Sequence, residues 1–201
     1  MSSDIQSTFI EAAAADTDGI STAAAVGDGA NLVIGGALAS GGAVTFDQPR
    51  NITILSAGDD SGISFTVTGT DETATSATES ITGANAGTAT GSAYFTTITA
   101  IAAVGDPAGN VSAGSGTSIA APMFRGRMRL RGIYAVNTGT AGTTTFRQTS
   151  SSGAVTMQFN TVASANTTQY PDIPDDGILF AAGGYVLYTQ TTLSSITVFY
   201  S

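Results

Sequence analysis

Apolar and polar residues alternate over much of this chain. Ile52 and Ile54 interleave with Asn51 and Thr53, and Ile63, Phe65 and Val67 with Ser64, Thr66 and Thr68. Val155, Met157 and Phe159 share one parity, as do Ile196, Val198 and Tyr200. A period of two sets alternate side chains on one face of a strand. The pattern predicts strands over 43–46, 51–54, 63–68, 77–82, 93–103 and 109–113. It predicts a second series over 124–137, 142–148, 154–159, 178–181, 184–190 and 194–200.

Gly, Asn and Pro punctuate these runs at 83–87 and 105–110. Asp59-Asp60-Ser61-Gly62 is expected to be a hairpin connection, since Asp and Gly tolerate positive φ. Two stretches lack period two. Residues 4–15 (DIQSTFIEAAAA) fit either a short helix, with Asp4 as N-cap and Ile5 and Phe9 on one stripe, or a flexible arm. Residues 16–31 read as irregular. Residues 112–122 (SAGSGTSIAAP) have neither period nor charge and read as a linker.

The expected organisation is an N-terminal arm over 1–30, a β-sandwich of Ig-like type over 31–114, a linker over 115–122 and a second, jelly-roll-like sandwich over 123–201. No repeat of 20–50 residues is present, which argues against a solenoid.

Composition supports an all-β class. Ile and Val far outnumber Leu, and Thr is abundant. β-branched side chains fit a pleated surface. Ala, Gly, Ser and Thr make up 110 of the 201 residues, and Leu, Ile, Val and Phe only 42. The core is therefore expected to be thin, with part of the apolar burial supplied by neighbouring chains.

The chain has no histidine, lysine, cysteine or tryptophan. The usual proton shuttle, thiol nucleophile, Schiff-base amine and nitrogen or sulfur metal ligands are missing. This favours a structural or binding protein over an enzyme, with no cofactor implied. The start has no basic segment or long apolar run, so no secretory signal is read, and no stretch of 18 apolar residues suggests a membrane span. A net charge of −9 argues against free nucleic acid as a partner. The charge is uneven: residues 1–115 are strongly acidic, while the rest holds five of the six arginines.

Four arginines, Arg125, Arg127, Arg129 and Arg131, occupy alternate positions. In one strand they would share a face, with Met128 and Leu130 turned to the core. Same-face neighbours lie about 6.7 Å apart, so repulsion is only about 0.6 kcal/mol per pair in water, before salt screening. The row is read either as a solvated face or as an interface to an acidic surface. Asp172, Asp175 and Asp176 sit in the proline-bounded run 171–177. That run is read as a rigid surface turn, a counter-surface for the arginines or a Ca²⁺ site.

Weaker candidates are explained by structure. Asp16-Thr17-Asp18-Gly19 lacks the remaining ligands of a calcium loop. Glu72 and Glu79, a conceivable acid–base pair, lie in a stretch expected to be solvated. Ser151-Ser152-Gly153 has no histidine partner and suits a hairpin loop. Tyr134, Tyr170, Tyr185, Tyr188 and Tyr200 could offer platforms to sugars, although strand tyrosines usually pack.

The segments ITILSAGDDSGISFTVTGTD, TESITGANAGT and YFTTITAI followed by GNVSAG, within residues 31–114, resemble a module of tailed-bacteriophage proteins. The later segments RLRGIYAVNTGTAGTTTF, DDGILFAAGGYVLYT and SSITVFYS are more loosely similar to small β-domains of marine and cyanobacterial short-tailed phages. The resemblance implies a virion structural protein. That protein would be a head decoration or knob, or a fibre-like, neck or tail component. It implies no catalytic residues. The expected partners are further copies of the chain and major capsid or other virion proteins, and the expected location is the virion.

Overall fold

A computed structural model describes residues 4–163 and 167–201. Among them no helix occurs, and the chain is built from antiparallel strands. In order these are β1 (Gln6–Ile10), β2 (Ser21–Ala25), β3 (Ala39–Ser40), β4 (Ala43–Ser56), β5 (Ser64–Asp71), β6 (Ser76–Thr82), β7 (Thr88–Thr90) and β8 (Phe95–Val104). They continue with β9 (Asn110–Phe124), β10 (Met128–Asn137), β11 (Gly142–Gln148), β12 (Val155–Thr161), β13 (Thr168–Gln169), β14 (Ile178–Phe180), β15 (Gly184–Thr189) and β16 (Leu193–Tyr200). The all-β class expected from composition is the observed one.

The chain divides into two compact units. One holds residues 14–117, and the other holds residues 1–13 together with 118–201. The stretch expected to be a linker, 115–122, lies inside β9, whose first part belongs to one unit and whose second part to the other. Residues 111–116 and 119–121 are all buried. A strand covered on both faces has no reason to alternate, so its period disappears from the sequence.

The N-terminal helix is not formed. Gln6–Ile10 pairs with β16 from Gln6↔Tyr200 to Ile10↔Ile196. The spacing of Ile5 and Phe9 suits one helical face, but four is also an even number. A strand places the same two residues together, and pairing with β16 selects the strand. Residues 21–25, expected to be irregular, pair with β9 as β2.

In the unit of residues 14–117 the strand order is β9-β4-β8-β5-β6. The Asp59–Gly62 segment is a turn, but it does not join paired strands, because β8 stands between β4 and β5. None of these four residues has positive φ. Strand β4 makes this connection possible by bending. Its register with β8 jumps from Thr45↔Thr97 to Arg50↔Phe95, so extra residues of β4 are bulged out at Phe46–Pro49. Beyond the bulge Thr53–Leu55 pairs with β7. Ile52, Ile54, Phe65, Val67, Phe95, Ile98 and Ile101 fill the core.

The other unit is a two-layer sandwich. One layer runs β1-β16-β10, with β13 and β14 both on the far side of β10. The other runs β12-β11-β15-β9. Ile10, Leu130, Ile196 and Val198 from the first layer meet Ile119, Met123, Phe146 and Val186 from the second. Each unit closes a core of its own.

Candidate interaction surface

The outer face of the β1-β16-β10 layer carries exposed aromatic residues. On the β1-β16-β10 layer the inward residues are Ile10, Ile196, Val198, Tyr200, Met128, Leu130 and Ile133. The outward set includes Ile5 and Phe9, which keep 65% and 61% of their surface exposed, and Phe199 at 37%. Directly paired residues share a face. Phe9 therefore sits opposite Thr197, which sits opposite Tyr134, and Ser7 opposite Phe199, which sits opposite Gly132. Tyr134 stacks at a tilt on Tyr170, ring centroids 5.1 Å apart, and Tyr170 is 69% exposed. Strands lie about 4.8 Å apart, so Phe9, Tyr134 and Tyr170 form a row about 15 Å long. Thr197, Ser195 and Ser7 add hydroxyls to the same face.

The four arginines do not share one strand face. Strand β9 ends at Phe124 and β10 begins at Met128, so Arg125 and Arg127 lie in the connection and are exposed. Arg129 and Arg131 lie on β10 facing outward, with Met128 and Leu130 buried as their parity predicts. Both reach the acidic turn, but its backbone rather than its carboxylates. Arg129 Nη1 donates to the Asp176 carbonyl at 2.9 Å, and Arg131 Nη1 to the Asp175 carbonyl at 2.7 Å. Arg131 Nε also donates to Ser201 Oγ at 2.9 Å.

The turn is held by Gly177 N–H donating to Pro174 C=O at 2.7 Å, with Gly177 at φ 70°. The carbonyls that a Ca²⁺ ion would use are thus directed at guanidinium groups. Asp172, Asp175 and Asp176 are exposed on the outside of this turn. No group of three or more candidate metal ligands occurs among the described residues.

The remaining candidates are structural. Tyr185, Tyr188 and Tyr200 are buried at 3%, 3% and 8% exposure and offer no platform. Of the tyrosines considered, only Tyr134 and Tyr170 face outward together. Glu72 is buried rather than solvated, at 5%. Glu79 Oε1 accepts from Ser92 N–H (2.6 Å), Ser92 Oγ (3.0 Å) and Ala93 N–H (3.1 Å), clamping the segment that leads into β8. Ser151–Gly153 lies in the β11–β12 hairpin loop. Asp16 Oδ1 accepts from Asp18 N–H at 3.3 Å, a local turn contact. Asp59 Oδ1 accepts from Ser61 Oγ (2.7 Å) and Ser61 N–H (3.1 Å), and the Ser61 hydroxyl bond, then its amide bond, lowers the carboxyl pKa below 3.8.

Two further charged residues are buried, of which Arg50 was not singled out by the sequence pattern and Asp60 was read only as a turn residue. Arg50, 1% exposed, pairs with Asp47 at 2.8 Å and lies 5.6 Å from the Phe46 ring centroid. Pro49 inside a strand was the available signal, since proline there marks a bulge. Asp60 is fully buried, and its Oδ1 accepts from Ala108 N–H at 2.7 Å, fastening the loop before β9. Both are positioned as struts of the 14–117 unit. No helix among the described residues is long and apolar enough to cross a membrane. No family model, curated protein or solved structure matches the chain.

Proposed function

We propose that this chain is a structural component of a phage virion, a decoration or knob protein that binds the head shell and assembles as a symmetric oligomer. The observation that carries the reading is the outer face of the β1-β16-β10 layer. At about 200 Å² per aromatic side chain, Phe9, Phe199 and Tyr170 together expose about 330 Å², before Ile5 is counted. Exposed apolar surface of this size is often functional. The phage-like segments in both halves and the lack of reactive side chains support the same reading, and no catalytic role is assigned. Quantitative mass spectrometry of purified particles tests it. A copy number in fixed stoichiometry to the major capsid protein is expected, and absence from the particle overturns it.

A second reading places the chain in a neck, tail or fibre-like part that adheres to host glycans. The exposed Tyr134–Tyr170 pair, with Thr197 beside it, favours this alternative. It expects binding on a glycan array that is lost with Tyr170→Ala. An array without binding removes it.

A further inference from the structure

Strand β1 ends its sheet, and among the described residues no strand pairs with its outer edge. An open edge presents a row of unpaired N–H and C=O groups, and proteins usually blunt such edges with charge, proline, a bulge or a cover. The other edges of this sandwich show such devices. The Asn160 carbonyl of β12 accepts from Gln169 Nε2 at 3.2 Å. Strands β13 and β14 are only two and three residues long. Strand β1 reads Gln-Ser-Thr-Phe-Ile, with no charge and no proline, and pairs with β16 without a register shift. Gln6, Ser7 and Phe9 are exposed.

We infer that β1 pairs antiparallel with β1 of a second copy, about a twofold axis through Ser7. A backbone edge is satisfied most fully by another backbone edge, and the side chains choose the register. Centred on Ser7, the pairing sets Ile5 opposite Phe9 of the second copy, twice, on the outward face. Phe9 is the most exposed apolar residue of β1, at 61%, and Ile5, which immediately precedes the strand, is exposed at 65%. Aromatic and β-branched residues placed opposite each other, about 5 Å apart at Cβ, stabilise strand pairs. The same register puts Asp4 opposite Ile10, an uncharged residue. The two layers become one continuous sheet, and the rows Phe9–Tyr134–Tyr170 of both copies lie on the same side. This deepens the self-association part of the proposed function by naming its contact, and it holds whether or not the oligomer sits on a particle.

The test measures the mass of the full chain in solution by light scattering at about 100 µM, a concentration that reveals even weak specific pairing. The wild-type chain is expected at twice 19.9 kDa. Ile5→Lys with Phe9→Lys sets ammonium groups opposite each other and is expected to give monomer. Ile5→Glu with Phe9→Lys sets opposite charges across the same pairs and is expected to restore the dimer. Both variants change only outward-facing side chains, and thermal melting verifies that each remains folded. A wild-type monomer overturns the inference and leaves the edge to a strand from a different protein. Identical behaviour of the two charge variants overturns the register. Failure here with the chain present in particles, or success with it absent, separates this inference from the virion reading.

Discussion

Gly29 and Gly177 share the same backbone angle, φ 70°, but not the same surroundings. A Cβ added at Gly29 meets nothing within 4 Å. A Cβ added at Gly177 falls 2.6 Å from the Leu130 carbonyl oxygen, a backbone atom of β10 that cannot rotate away. Gly29→Ala therefore costs only the left-handed backbone penalty, about 1 kcal/mol. Gly177→Ala adds the overlap, about 1–3 kcal/mol by analogy with overpacking. Relieving it lifts the turn off β10 and weakens the bonds from Arg129 and Arg131 to the Asp176 and Asp175 carbonyls. Both lie near solvent, so they add about 0.5 kcal/mol each. The totals are about 1 kcal/mol for Gly29→Ala and about 3–5 kcal/mol for Gly177→Ala.

Urea unfolding, with each variant read on the transition of its own unit, measures both. For a unit of about a hundred residues the corresponding melting shifts are about 5 °C and about 15–25 °C. Equal costs within about 0.5 kcal/mol would refute the claim that close approach to β10, and not φ alone, requires glycine at 177.

Other expectations follow from the same geometry. Phe146→Ala removes a fully buried ring 6.0 Å from Phe159 and should destabilise its unit by about 3–5 kcal/mol in urea. Arg50→Ala should cost about 3 kcal/mol, the low end for breaking a buried pair, because Asp47 is 40% exposed and can rehydrate. Arg50→Met, which keeps the packing, should cost measurably less. Asp59 has a folded-state pKa below 3.8, so its contribution to stability is present above about pH 4 and fades as the pH falls through the folded value. A carboxyl-carbon NMR titration should show this, and Ser61→Ala should move the midpoint back up; an unmoved midpoint would contradict the hydroxyl as cause.

Much of the strand pattern was readable wherever one face meets a core and the other meets solvent. Phe65 and Val67 are buried while Thr66 and Thr68 are half-exposed, and Met128 and Leu130 face inward while Arg129 and Arg131 face out. Of the candidate surface, the outward tyrosines could be named from sequence, but Tyr185, Tyr188 and Tyr200 could not be separated from them. Strand parity is relative, and only packing says which parity faces the core.

From sequence alone came the all-β class, the alternation of the regular strands, and a side-chain inventory lacking the usual catalytic groups. These are local properties, set by period and composition. Tertiary structure alone decided that residues 6–10 form an edge strand and that 112–122 is strand, with 112–116 and 119–121 buried. It also decided that β4 leaves β8 at Phe46–Pro49, and that Arg129 and Arg131 grip carbonyls instead of carboxylates. Each outcome depends on a partner distant along the chain: β16 for β1, covering layers for β9, β7 for β4 and the 174–177 turn for β10. Hydrogen bonding and burial between such segments leave no periodic trace in either one.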